Sequence, residues 1–108
     1  MLKKENYEIK GITLPVAFAV VRRTETNEYN RGVAFIGIGA SREMALKEPL
    51  KEVMVQFEIT DRSTCEKRLA YISAKQVKTT KDIDENGKLV EVEEYPFFYD
   101  WEDDIINE

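Results

Sequence analysis

Alternation of apolar and polar residues predicts most of the secondary structure of this chain. Between residues 16 and 21 apolar side chains fall on both faces of an extended segment, which is typical of a central strand. Between residues 53 and 60 they fall on one face only, as expected for a strand with one exposed side. We predict antiparallel strands near residues 7–12, 15–25, 32–41 and 50–60.

Helical spacing is clearest over residues 63–77, where we predict one packed helix. Ser63 and Glu66 have the spacing of a capping box at its start. The predicted buried stripe consists of Cys65, Leu69, Ile72 and Gln76, flanked by Tyr71 and Val77. A shorter stretch from Ser41 to Glu48 could form one or two helical turns. Just before it, Gly37 and Gly39 lack the third glycine of a dinucleotide site, so they indicate a bulge or close packing.

Residues 82–93, DIDENGKLVEVE, match the spacing of a calcium-binding EF-hand loop. The candidate ligands are Asp82, Asp84, Asn86 and Glu93. An EF-hand also needs a helix on each side of the loop, and a proline at position 96 closely follows the last ligand. A looser calcium site at the same residues stays open as an alternative.

A hairpin around residues 80–93 explains the same stretch. Asn86-Gly87 is the strongest signal for a two-residue type I′ turn, because both positions tolerate positive φ. That turn would pair Ile83 with Val90 and Asp84 with Leu89. We therefore predict a hairpin, with calcium binding as the alternative.

The chain ends in a segment, residues 94–108, that is both aromatic and acidic. Its aromatic residues lie within seven positions and are Tyr95, Phe97, Phe98, Tyr99 and Trp101. They could close over the sheet as part of the core, or anchor another protein, since large aromatics dominate binding energy at interfaces. The segment is accordingly predicted to be extended or a partner-binding tail.

Charge and composition exclude several classes of function. Residues 1–81 carry 15 basic and 10 acidic residues, whereas residues 82–108 carry 1 basic and 11 acidic. The acidic aromatic segment lacks the basic groove that binding to nucleic acid requires. The chain has no histidine and one cysteine, which removes imidazole catalysis, disulfides and cysteine-rich zinc sites. Carboxylate pairs such as Asp84 with Glu93, or Asp103 with Asp104, are the remaining catalytic candidates. We expect a soluble, non-enzymatic protein with no cofactor and no membrane segment.

Several short motifs resemble those of a group of phage proteins. They are ITLPVAF at residues 12–18, ASRE at residues 40–43, Pro49-Leu50 before a strand, and Ala70-Tyr71 on the helix. The chain is similar there to small proteins encoded near the tail and baseplate genes of siphophages that infect Gram-positive bacteria. The resemblance implies a non-enzymatic structural or interaction protein, expected in the host cytoplasm during assembly and, as an open alternative, in the virion tail. Its partners would be other tail or baseplate proteins, or further copies of itself.

These observations together predict a single domain of the α+β class over residues 1–108. A mainly antiparallel sheet, arranged as a meander or a sandwich, would carry one packed helix and a C-terminal hairpin. At 108 residues the chain is long enough for one hydrophobic core.

Overall fold

The computed structural model describes residues 1–104 of the chain. Its strands are β1 (Leu2–Ile9), β2 (Ile12–Thr26), β3 (Arg31–Gly39), β4 (Lys51–Glu58), β5 (Lys78–Ile83), β6 (Leu89–Glu94) and β7 (Glu102–Asp103). Its helices are α1 (Arg42–Lys47) and α2 (Glu66–Lys75). The predicted α+β class with a mainly antiparallel sheet is confirmed, with a second, short helix beside the predicted one.

Five strands form one antiparallel sheet in the order β4-β3-β2-β1-β7, while β5 and β6 form a separate two-stranded hairpin. Strands β1 to β4 are a meander, in which each strand pairs with the next along the chain. Strand β7 returns from the C-terminal end to pair with β1. The meander alternative of the prediction is therefore the one that the fold adopts.

The first hairpin begins earlier than the sequence pattern predicted. β1 starts at Leu2 and ends at a two-residue turn of Lys10 and Gly11, with Ile9 paired to Ile12. Both turn residues have positive φ, 51° and 77°, which matches the right-handed twist of the two strands. The prediction had placed a strand across this turn, because a lysine in the first turn position is a weak hairpin signal.

A change of face within β1 lets both of its ends reach the same core. Leu2 and Tyr7 are five positions apart, so regular alternation would place them on opposite faces, yet both pack into one cluster. Asn6 lies between them with φ of 52°, and it lies in the register opposite Pro15. The left-handed residue rotates the strand, so that Leu14, on the partner strand, also joins this cluster.

Helix α2 covers the main core, but with a different face from the predicted one. Its buried residues are Leu69, Ala70, Tyr71 and Ala74. Cys65 and Ile72, which the prediction placed on the stripe, are exposed. Two small alanines beside Tyr71 let the helix lie close to the sheet, and this shape effect outweighs the apolar character of Ile72.

The predicted capping box at the start of α2 does not form. Cys65 is the N-cap and makes no side-chain cap bond. Ser63 instead donates both its hydroxyl and its backbone N–H to Asp61 Oδ1, at 2.7 and 2.9 Å. Asp61 thus competes successfully for the serine, and the turn before the helix is built on the aspartate. The side chain of Glu66 accepts a bond from Thr24 rather than returning to the serine.

Tyr71 ties α2 to an irregular point in the sheet. The register between β2 and β3 shifts between Val21 and Arg23. At this shift the backbone N–H of Val21 donates to the Tyr71 hydroxyl at 2.8 Å. The buried tyrosine therefore satisfies a backbone donor at the bulge, and the bond fixes the helix relative to the sheet.

The opposite face of the sheet is partly covered by α1. Ser41 caps this helix, since its hydroxyl accepts the Met44 N–H at 3.1 Å, as the sequence predicted. A Cβ on Gly37 would lie 2.1 Å from the Ala45 carbonyl oxygen, and one on Gly39 would lie 2.7 Å from the Ala45 nitrogen. The two glycines are therefore needed for close packing of the helix backbone, which confirms one of the two predicted roles.

Candidate protein interaction surface

The hairpin formed by β5, its turn and β6, which we call the arm (residues 78–94), projects from the body. All twelve residues of its two strands are exposed. No other element packs extensively against it within residues 1–104. An isolated two-stranded hairpin is marginally stable in water, so an arm of this kind is expected to gain stability from a partner.

The turn of the arm confirms the predicted hairpin but differs in type and register. Asp84 N–H donates to the Lys88 carbonyl at 2.9 Å, and Gly87 N–H donates to the Asp84 carbonyl at 3.1 Å. Only Gly87 has positive φ (77°), so Asn86 does not adopt the left-handed conformation of a type I′ turn. Ile83 consequently pairs with Leu89 rather than with Val90. The extra residue arises because the Asp84 carboxylate holds a wider loop.

This one-residue difference distributes the apolar side chains over both faces of the arm. Ile83 and Leu89 lie together near the tip, 66% and 71% exposed. Val90 and Val92 lie on the opposite face, because successive strand residues alternate between faces. Neither face is covered by the body, so the arm presents apolar surface in two directions.

The four candidate calcium ligands lie along the arm rather than around one point. Asp84 Oδ1 accepts the N–H groups of Asn86 and Lys88, at 2.9 and 2.8 Å. Glu93 pairs with Thr79 near the base of the arm, about 13 Å along the strand from the turn. Strands, not helices, flank the loop. Within residues 1–104 no group of three or more histidine, cysteine or acidic side chains is placed to hold a metal ion.

The aromatic segment divides into a buried pair and an exposed group. Phe98 and Trp101 are 0% and 1% exposed and pack edge to face, with ring centroids 5.0 Å apart. The ring centroids of Trp101 and Tyr7 are 5.2 Å apart, so Phe98 and Trp101 complete the core beside β1. The core alternative drawn from the sequence is therefore confirmed for Phe98 and Trp101, whereas anchoring of another protein by the exposed rings stays a prediction. The last part of the predicted tail, residues 105–108, lies outside the described residues.

Tyr95, Phe97 and Tyr99 lie at the surface and are 58%, 41% and 49% exposed. The Tyr95 hydroxyl donates to the Glu93 carboxylate at 2.5 Å, which links the aromatic group to the base of the arm. This bond to a negative charge raises the pKa of Tyr95 above its ordinary value. The three rings and the arm are thus one continuous exposed region.

Three aspartates of this segment form ion pairs with the body. Asp103 forms an ion pair with Arg68 of α2, and Asp100 forms one with Lys4 of β1. Asp104 lies 3.3 Å from the Lys3 ammonium, and their bond and ion pair raise the pKa of Lys3. The pair Asp103 and Asp104, considered above for catalysis, therefore fastens the C-terminal segment to the sheet.

An open cleft of about 1260 Å³ lies between β5 and the body. Its lining includes the first three residues of β5, the end of α2 and the ends of β2, β3 and β4. Its apolar lining residues are Val33, Phe57, Leu69, Ile72 and Val77. A smaller groove of about 320 Å³ lies between β4 and residues 94–98. The edge of β5 therefore borders open space rather than another strand of the protein.

Exposed apolar side chains are concentrated on this side of the molecule. Of the thirteen large hydrophobic residues that are exposed within residues 1–104, ten belong to the arm or the three rings or line the cleft or the groove; the other three are Ile12, Tyr29 and Met44. The aromatic residues of this surface are evident from the sequence, but Ile72 and Val77 are not, because helical spacing assigns both to the buried stripe of the helix or its flanks. Because patches of this kind mark interaction sites in folded proteins, we treat the arm, the cleft and the three rings as the candidate interaction surface.

Comparison with protein-family models, with curated proteins and with solved structures finds no match to this chain. No helix within residues 1–104 has the length and apolar character needed to cross a membrane.

Proposed function

We propose that this protein is a non-enzymatic structural or interaction protein that uses the arm and the adjacent rings to bind other proteins. The observation that carries the proposal is the complete exposure of the arm. A two-stranded ribbon with four apolar side chains and no supporting layer is poorly stabilised by itself. Pairing with a partner would cover these side chains and supply the missing layer.

The chemistry of the surface suits a protein partner. The three exposed rings are of the residue types that anchor protein interfaces, and β5 and β6 each offer an edge for strand addition. Acidic residues predominate over basic ones from residue 82 onward, which disfavours a nucleic acid partner. Strand pairing together with aromatic anchors supports an assembly role.

The motifs that resemble siphophage proteins suggest which assembly is concerned. On that resemblance we propose that the partners are tail or baseplate proteins, met in the host cytoplasm during assembly and retained in the virion tail. The buried positions Leu14, Ala17, Ala70 and Tyr71 fall within the resembling stretch and support the body of the domain. The arm lies outside that stretch, so its role as the contact region is proposed from its geometry alone.

An arm-deletion variant tests the proposal. Lys78 and Glu94 pair at the base of the arm, so residues 79–93 can be replaced by a two-residue Asn-Gly turn without moving the body. Co-purification with proteins from the neighbouring tail genes should be retained by the full chain and lost by the deletion variant. The variant Ile12→Ala, which alters an exposed apolar side chain at the opposite end of β2 from the cleft, is the matched control. Equal recovery with and without the arm would contradict the proposal.

A further inference from the structure

The two edges of the arm differ in what they can pair with. Hydrogen bonds in an antiparallel pair alternate between residues that face the partner strand and residues that face away. Since Asp84 N–H donates to the Lys88 carbonyl, that pair is a bonded position next to the turn. Counting back along β5, the residues whose backbone groups face away from β6 are Thr79, Lys81 and Ile83, and the Ile83 N–H among these groups donates to the Asp82 carboxylate at 2.8 Å. A strand added to this edge must therefore form its bonds with these three residues.

We propose that a second copy of this chain is the strand that is added, and that β5 of each copy pairs antiparallel with β5 of the other. This inference rests on the proposed function, because both assign binding to the arm, and it names the partner. A two-fold axis would pass beside Thr80, placing the two Thr80 side chains opposite each other. The arm and its symmetry mate would then form one four-stranded sheet.

Charge complementarity selects this register. With Thr80 at the axis, Lys78 of each copy faces Asp82 of the other, which gives two equivalent ion pairs. Val77 likewise faces Ile83, and both are exposed in the single chain, at 38% and 66%. Opposite-charge and apolar cross-strand pairs each stabilise a sheet, so four of the cross-strand pairs in this register are favourable: two of Lys78 with Asp82 and two of Val77 with Ile83.

The neighbouring registers are less favourable. In an antiparallel pair, a residue whose backbone groups point toward the partner strand must lie opposite another residue of the same kind. The neighbouring registers that meet this condition have the two-fold axis at Lys81 or at Thr79. With the axis at Lys81, the two Lys81 side chains would face each other, and Lys78 would face Asp84, whose carboxylate already accepts two N–H groups of the turn. With the axis at Thr79, both Lys78–Asp82 pairs would be lost. Pairing of two copies through the β6 edge is less favourable. In the two registers that overlap β6 most fully, Glu91 would lie opposite Glu91 or Glu93 of the other copy. Like charges directly opposite are destabilising.

The cleft beside β5 has room for the partner. In the proposed register the tip of one arm, with Ile83 and Leu89, lies alongside Val77 of the other copy. That residue and Ile72, which is 52% exposed, line the cleft of about 1260 Å³. Each tip would therefore bring its exposed apolar pair onto the apolar wall of the other molecule. This contact would cover the apolar tip of the arm and the apolar wall of the cleft, both of which are exposed in the single chain.

Cysteine cross-linking tests the axis directly. In a background with Cys65→Ser, the variant Thr80→Cys places two thiols on residues whose Cα atoms would be about 4.5 Å apart, within disulfide range. Thr79→Cys is the matched control, because in this register Thr79 faces Lys81 and not itself. Under mild oxidation at low micromolar protein, we expect Thr80→Cys to form a covalent dimer and Thr79→Cys to remain largely monomeric. A monomeric Thr80→Cys, or equal cross-linking of the two variants, would overturn the register.

Light scattering after size exclusion tests the charge pairing without a cross-link. The unmodified chain of 12.6 kDa should elute with twice that mass. Asp82→Lys places two lysines opposite each other at both symmetric positions, so we expect the dimer to weaken about tenfold or more. Glu5→Lys makes the same charge change on the distant strand β1 and should leave the dimer intact. A monomer for the unmodified chain, or equal effects of the two variants, would refute the proposal.

These outcomes separate self-association from the proposed function. Loss of the covalent dimer, combined with arm-dependent capture of tail proteins, would leave the proposed function standing and remove only the second copy. A covalent dimer combined with arm-independent capture would do the reverse. The two sets of measurements therefore fail independently.

Discussion

The body and the arm of this protein are built from the same kind of strand but are stabilised in different ways. The body buries Leu2, Ile36 and Trp101 completely beneath α2 and the C-terminal segment. The arm buries none of its strand residues and relies on its backbone bonds and its turn. Hydrophobic burial is the main source of folding free energy, so stability should be concentrated in the body. The arm is therefore expected to open more readily than the body.

The largest expected effect comes from removing the ring that closes the core of the body. Trp101→Ala deletes a side chain that is 1% exposed and contacts Tyr7 and Phe98. We expect unfolding free energy to fall by about 3–5 kcal/mol, measured by urea denaturation followed by circular dichroism. Tyr99→Ala is the control, and since that ring is 49% exposed it should cost less than about 1 kcal/mol. Equal losses would show that the aromatic segment is not divided as described.

A smaller effect is expected where α1 lies on the sheet. Gly37→Ala would place a methyl group 2.1 Å from the Ala45 carbonyl oxygen, which is backbone and cannot rotate away. The helix must shift, and overpacking of this kind costs about 1–3 kcal/mol of unfolding free energy. Denaturation of the variant checks this value. Unchanged stability would mean that α1 contributes little to the body.

Two glycines with the same conformation provide the sharpest comparison between the regions. Gly11 turns the β1–β2 hairpin of the body and Gly87 turns the arm; both have φ of 77°, and a Cβ on either would meet nothing within 4 Å. Alanine should cost about 1 kcal/mol of local conformational energy at each. We expect Gly11→Ala to lower the stability of the body and Gly87→Ala to leave it unchanged.

Amide hydrogen exchange completes this test, because it resolves the arm from the body. In Gly87→Ala, exchange should accelerate about fivefold in residues 78–94 and stay constant in β1 to β4. If Gly87→Ala lowers the denaturation midpoint of the body as much as Gly11→Ala does, the arm is energetically coupled to the sheet. That result would contradict the division proposed here.

The smallest effect concerns pH and the turn before α2. Bonds from the Ser63 hydroxyl, the Ser63 N–H and the Thr64 hydroxyl hold the pKa of Asp61 below its ordinary value of 3.8. The unfolded chain therefore binds a proton at higher pH than the native protein does. The stabilisation is fully present above pH 3.8 and is lost as pH falls through the lower native pKa. Asp61→Asn should flatten the fall in stability between about pH 5 and pH 2, measured by urea titration at each pH.

Much of this fold could be predicted from the sequence because its strands alternate clearly. The strand predicted from the alternation in residues 53–60 forms as β4, and the helix cap predicted at Ser41 forms at the start of α1. The two turns show the limit of local signals. Asn86-Gly87 has the stronger type I′ sequence but forms a wider turn, because the Asp84 carboxylate accepts two backbone N–H groups. Lys10-Gly11 has the weaker sequence but adopts the two-residue turn, because the sheet on both sides imposes the twist.

The face of α2 and the interaction surface could not be predicted for a related reason. Periodicity alone cannot distinguish the stripe through Ile72 from the one through Tyr71, since both contain apolar residues. The choice depends on Tyr71 reaching the bulge in β2, which is a contact between residues 50 positions apart. The division of the aromatic segment likewise depends on which rings find space beside Tyr7. Tertiary contacts of this range leave no local pattern in the sequence.

The position of the single tryptophan has a consequence for how the protein can be observed. Trp101 lies wholly inside the body, and residues 78–94 contain no aromatic side chain. Tryptophan fluorescence will therefore follow loss of the core and will not report opening or closing of the arm. An emission label placed on the arm would report the second event alone. The two processes can in this way be recorded as separate optical channels in one sample.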